Sequence, residues 1–152
     1  MTPGVRAALL ASAVSAGVWL VGCSGPVEVA SPTLDSDTAA TCAQFLAALP
    51  ETVDDQSSRE VAPAGAPAAA WGDPAIVVRC GVTAPAGMTP DAQLFEVDGL
   101  AWYPEELPDG YRFTTYDRQA LVEVVVPSAY APEIAVVTAV GAAVRDTVPA
   151  AP

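Results

Sequence analysis

The residues best able to do chemistry in this chain are its carboxylates, its hydroxyls and its three cysteines. Glu105-Glu106 with Asp109 is the densest acidic group, and glycoside cleavage or cation binding both work with grouped carboxylates. Adjacent positions in extended backbone point apart, so a solvated turn is the plainer reading. Asp117-Arg118 offers a guanidinium that would grip a substrate carboxylate, or else a salt bridge within a hairpin turn. Ser57, Ser58 and Ser128 have no histidine or lysine to activate them. Without histidine the commonest general base and transition-metal ligand is missing, and without lysine Schiff-base chemistry is excluded. The expectation is a protein that is not an enzyme, with no catalytic residue, no metal ligand set and no cofactor. A carboxylate-dependent enzyme is the weakest alternative.

Cys23 is placed for a different chemistry. Arg6 precedes an uncharged run from Ala7 to Leu20, which closes on Leu20-Val21-Gly22-Cys23 before charge returns at Glu28. A short basic head, an apolar middle and small residues at the cut are the layout of a secretory signal. Fourteen helical residues span about 21 Å, short of the roughly 30 Å of hydrocarbon that a stable crossing must cover. The ending resembles the bacterial lipobox, whose cysteine takes a diacylglyceryl group before the chain is cut ahead of it. A thiol suits thioether formation, Gly22 leaves the scissile bond uncrowded, and Leu20 and Val21 seat the segment in an intramembrane protease. One acyl chain holds a protein only marginally, at about 0.8 kcal/mol per buried methylene, so two or three are needed. Lipid attachment at Cys23 is expected; an ordinary secreted protein and an uncleaved signal anchor are the alternatives.

With Cys23 acylated, Cys42 and Cys80 remain in an exported protein, where thiols tend to oxidise. A bridge between them would contribute roughly 4 kcal/mol through loop-closure entropy. A zinc site is the other reading, but two thiolates without histidine would need carboxylates to complete it. The formal net charge of −12, with six arginines and no lysine, offers nothing to a phosphate backbone, so nucleic acid is not an expected partner. Nor would such a surface be drawn to anionic headgroups, which leaves acyl chains as the membrane contact.

These groups must be positioned by the elements around them. Residues 1–22 read as the signal peptide and its helix, 23–37 as lipid anchor and flexible tether, 38–148 as one α+β domain, and 149–152 as a tail. Asp35 and Asp37 stand where an acid caps a helix; they lack the loop, glycine and terminal glutamate of a calcium site. Thr38 to Leu49 carries Cys42, Phe45, Leu46 and Leu49 on one helical stripe and stops at Pro50. Glu51 to Ala70, with APAGAPAAA, reads as a long mobile loop. Ala75 to Gly81 is a strand with Ile76, Val78 and Cys80 on one face.

WGDPAIVVRCG, with the preceding Cys-x-x-Phe-Leu-x-x-Leu-Pro, resembles the actinobacterial lipoproteins of the domain of unknown function 3515 family, over about Cys42 to Val148. The resemblance implies an envelope lipoprotein with a cysteine pair matching Cys42 and Cys80, and no established activity.

Asp98-Gly99 marks a two-residue hairpin turn within QLFEVDGLAWY. After an acidic loop from Pro104 to Gly110, Tyr111–Tyr116 and Ala120–Val126 form a second hairpin around Asp117-Arg118-Gln119. Val122, Val124 and Val126 face one way and Leu121, Glu123 and Val125 the other, which suits a sheet covered on one side. Ile134, Val137, Gly141, Val144 and Val148 then recur at helical spacing after Pro132 and Glu133, with Gly141 permitting close approach. The expected architecture is a mainly antiparallel sheet of about five strands with two helices packed on one face.

Trp71, Trp102, Tyr103, Tyr111 and Tyr116 would either line a groove or fill the core and rim. The leading expectation is a lipid-anchored interaction or envelope-maintenance module on the extracytoplasmic face of the cell membrane. Its partner is an unknown envelope protein or ligand. The alternative is a binding protein for a small envelope ligand that uses Trp71, Trp102, Tyr103 and Arg118.

Overall fold

The structure is a computed structural model that describes Met1 and residues 25–152. The signal helix and Leu20, Val21, Gly22 and Cys23 therefore lie outside the described residues. In chain order the elements are β1 (Val27–Glu28), α1 (Ser36–Ala48), β2 (Thr52–Val53), β3 (Gln56–Arg59), β4 (Val61–Ala62), β5 (Ala68–Trp71) and β6 (Ile76–Cys80). They continue with β7 (Phe95–Val97), β8 (Leu100–Leu107), β9 (Gly110–Thr115), β10 (Val122–Pro127) and α2 (Ile134–Thr147).

The class is α+β, with an eight-stranded antiparallel sheet in the order β2-β3-β5-β6-β10-β9-β8-β7 and a separate parallel pair, β1 with β4. The sheet is larger than the five strands expected because residues 51–70 are not a mobile loop. Ala68 and Ala70 lack the β-branched bulk that marks a strand, yet they pair with Arg79 and Val77, and both are buried. Strand formation there is imposed by the neighbouring β6 more than by local propensity. The acidic loop expected at 104–110 is also mostly strand. Pro104, Glu105 and Glu106 pair with Phe113, Arg112 and Tyr111, and the chain turns only at Pro108-Asp109. Beyond Trp102 the strand β8 has no β7 partner, so the missing N–H of Pro104 breaks no ladder.

One face of the sheet carries the core. Val122, Val124, Val126, Val78, Cys80, Ile76 and Trp102 are all at 0% exposure, and cross-strand register puts Cys80 opposite Val122 and Val78 opposite Val124. The helix α1 is bound to this face by a disulfide between Cys42 and Cys80, with Cα atoms 5.6 Å apart. Its Phe45 is fully buried. Asp35 caps the helix, accepting hydrogen bonds from the backbone N–H groups of Asp37 and Thr38 at 3.0 Å each. The helix α2 crosses the same face with Val137, Val140 and Val144 inward. At Gly141 an added methyl would lie 3.4 Å from Leu100 Cδ1 and 3.7 Å from Trp102 Cζ2, ordinary contact distances, so close approach does not require a glycine there. Asp98 and Gly99 take the positive φ values, 49° and 77°, that the two-residue turn between β7 and β8 demands.

Both termini of the described domain are tied down. The segment expected as a flexible tether is bound to the body from Gly25 onward, by β1 pairing with β4 and by Leu34 packing on the core. The expected tail is likewise docked. Gln119 N–H donates to the Pro149 carbonyl and Ala151 N–H to that of Asp117, which leaves 149–151 alongside the turn between β9 and β10.

Candidate functional site

At the β7 side of the sheet the core face is left partly open. Phe95 on β7, Pro104 on β8, and Tyr111 and Phe113 on β9 share the face that α2 covers, but α2 begins only at Ile134. The gap between these strands and Pro132, Glu133, Ile134 and Val137 is an apolar groove of about 330 Å³. Its three rings form a row. Phe95 meets Phe113 edge-on with centroids 5.4 Å apart, and Tyr111 stacks on Phe113 at 5.9 Å. Ile134, which its spacing puts on the buried stripe, is 49% exposed because the first turn of α2 overhangs this gap. Glu133 is the single charged residue in the lining. Such a groove can receive an apolar side chain or a ring; it offers no pair of groups for bond cleavage.

The opposite face of the sheet holds a charge network. Arg79 lies across from Glu123 in the β6–β10 ladder and donates to its Oε1 through Nε at 2.9 Å and Nη2 at 2.7 Å. Arg112 Nε stands 3.4 Å from Glu123 Oε2, and Arg112 Nη1 stands 3.6 Å from Glu105 Oε2. Ala30, Ser31, Pro32, Val82 and Thr83 line an open pocket together with Arg79 and Glu123, and the Glu123 side chain is only 7% exposed.

The remaining candidates are dispersed. Glu105 sits on the charged face, Glu106 on the other, and Asp109 in the turn, so the acidic trio does not converge. Trp71 and Trp102, at 1% and 0% exposure, present no ring face to a ligand. Trp71 instead donates through Nε1 to the Pro50 carbonyl at 3.2 Å. Tyr103 lies on the charged face with its hydroxyl against Gly87, and Tyr116 joins the backbone ladder through its N–H to the Ala101 carbonyl. Arg118 donates to the Val148 carbonyl at 3.2 Å and so fastens the chain end; it makes no salt bridge with Asp117. Ser57 and Ser58 are exposed on β3, and Ser128 lies in the turn after β10. Among the described residues no cluster of three or more cysteine, aspartate or glutamate side chains is gathered to hold a metal. Within the same residues no helix is long and apolar enough to cross a membrane.

The groove was only half visible in the sequence. Tyr111 is among the aromatic candidates, whereas Phe95 and Phe113 look like ordinary strand residues; Phe113 is buried beneath the groove, and the late start of α2 leaves Phe95 only partly covered.

A family model described as "Protein of unknown function (DUF3515)" matches residues 5–152, nearly the full length. The chain belongs to the DUF3515 family. The match is wider than the resemblance between Cys42 and Val148, and within this DUF3515 chain it takes in β1, α1, the whole sheet and the docked terminal residues. No curated protein and no solved structure matches the chain.

Proposed function

We propose that this DUF3515 protein is an extracytoplasmic lipoprotein, anchored through lipid on Cys23, that works by binding an envelope protein and not by catalysis. The groove lined by Phe95, Tyr111, Phe113 and Ile134 carries the reading, because it is an apolar concavity on which Tyr111 and Ile134 stand exposed. Leu20-Val21-Gly22-Cys23 supports the anchor, and the Cys42–Cys80 disulfide suits an oxidising compartment. The occupant that fits is an apolar segment flanked by a basic residue, since Glu133 lies in the lining and the chain is at −12 overall. A small-ligand site built on Trp71 and Trp102 is not supported, because both rings are in the core.

The test is photo-crosslinking in native membranes from a benzoyl-phenylalanine at position 134, with Cys23→Ala as the unanchored control. The reading expects one dominant protein adduct that is lost when Tyr111→Ala is added, and a mature protein whose mass includes lipid on Cys23. A native molecule beginning at Met1 or lacking lipid mass would overturn the anchor. An adduct pattern indifferent to Tyr111→Ala would overturn the groove.

A further inference from the structure

The start of the described domain is fastened at several points. Gly25 offers its carbonyl to Arg59 Nη2 at 2.7 Å, Val27 N–H donates to Glu60 at 2.8 Å, and Val29 N–H donates to Ala62 at 2.9 Å. Arg59 acts as a clamp at this point. Its Nη1 donates to the Gly72 carbonyl at 2.9 Å and stands 3.9 Å from an Asp73 oxygen, so one guanidinium joins the entering chain, β3 and the turn between β5 and β6. Further along, Leu34 closes over Gly81, where an added Cβ would fall 2.5 Å from Leu34 Cδ2.

In the sequence only Ser24 separates Gly25 from Cys23. Two residues reach about 7 Å at most, from a limit of roughly 3.3–3.6 Å each. The body is far broader than that. From β3 to β7 the sheet crosses six strand spacings, about 29 Å at roughly 4.8 Å per strand.

We propose, on the reading that Cys23 carries lipid, that the chain entering the domain is a short leash that holds one edge of the body against the lipid headgroups. The membrane-facing edge is the one bearing β1, β4 and Arg59. The edge bearing β7, and with it the aromatic groove, is turned away from the bilayer. Leash length sets this orientation, because exposed Glu28 and Glu60 beside the entry point give the edge no electrostatic attraction to anionic lipid. The groove then meets partners that stand above the membrane surface, not segments embedded in it.

Energy transfer tests the orientation in the mature, acylated full chain. With Cys42 joined to Cys80 and Cys23 acylated, Glu60→Cys or Glu96→Cys supplies a single free thiol at an exposed site for a donor dye. Each labelled protein is placed in phosphatidylcholine vesicles containing acceptor-labelled headgroups. Transfer from position 60 should exceed that from position 96 by about twofold or more, given the roughly 29 Å between the two edges. Ten Gly/Ser residues inserted between Ser24 and Gly25 should collapse the difference. Equal transfer from the two sites on a protein that carries lipid would overturn the orientation alone. A difference that survives the insertion would overturn the leash as its cause. A protein without lipid mass that fails to float with the vesicles would overturn the anchor, and the orientation with it.

Discussion

Arg79 gives two hydrogen bonds to a single carboxylate oxygen of Glu123, directly across the β6–β10 ladder. The other oxygen faces Arg112 at 3.4 Å, so this one carboxylate, itself only 7% exposed, balances two guanidinium groups. Removing one partner of a fully buried pair costs about 3–5 kcal/mol, mostly through the charge left behind. The arginine side chains are 27% and 33% exposed, which lets water recover part of that loss. Glu123→Ala should therefore lower stability by about 2 kcal/mol, less than the cost of breaking a fully buried pair. Urea denaturation of the oxidised protein measures it, and a loss under about 0.5 kcal/mol would assign the network no more than a surface pair's weight.

The disulfide between Cys42 and Cys80 spans 38 residues and ties α1 to the middle of the sheet. The double variant Cys42→Ala, Cys80→Ala should lose roughly 4 kcal/mol, from the loop-closure entropy regained by the unfolded chain. Comparing denaturation of the parent with and without reductant gives an independent value. Agreement between the two separates the cross-link from the packing of the sulfur atoms.

Gly141 should tolerate alanine. The added methyl would make contacts of 3.4 Å and 3.7 Å with Leu100 and Trp102 without a clash, and alanine is the better helix former by about 0.5–1 kcal/mol. Gly141→Ala is expected to raise the melting temperature, and a fall would show that α2 sits too tightly on Trp102 to accept it.

Acid should erase the cap on α1. The Asp35 carboxyl is held below its usual 3.8, first by the Thr38 backbone N–H and then by the Thr38 hydroxyl. A depressed folded value means that the cap stabilises fully above the unfolded pKa and is lost as pH falls through the folded one. The stability difference between the parent and Asp35→Ala should therefore be constant near neutrality and shrink once the solution is more acidic than pH 3.8. Urea titrations at several pH values read it out. A difference that did not change with pH would show that the carboxylate's charge contributes nothing.

What the residue types and their spacing announce is mostly local. The stripe of Cys42 and Phe45, the capping position of Asp35 and the Asp98-Gly99 turn are short-range signals, and each is present in the structure. The alternation at Val122 to Val126 also holds, with the even-numbered valines fully buried and Glu123 on the opposite face. Apart from the Cys42–Cys80 pairing, long-range relationships were illegible. Ala68–Trp71 becomes a strand only because β6 lies beside it, and Glu105 finds Arg112 only because β8 continues past Pro104. Tryptophan type says nothing about side-chain direction, so the burial of Trp71 and Trp102 had to come from the packing. The groove depends on where α2 starts relative to β9, and no residue near Phe113 in the chain encodes that.

The middle of the sheet joins Cys80 to Val122, strands that the chain makes far apart in time. Until β10 has emerged, β6 has a neighbour on one side only, and the valines that α2 contributes come later still. Early-made segments therefore have little to gain by collapsing alone, and non-local pairing of this kind is slow to form. Such a polypeptide closes its core only when its last helix has been made, so the first half of the chain waits on the second for its shape.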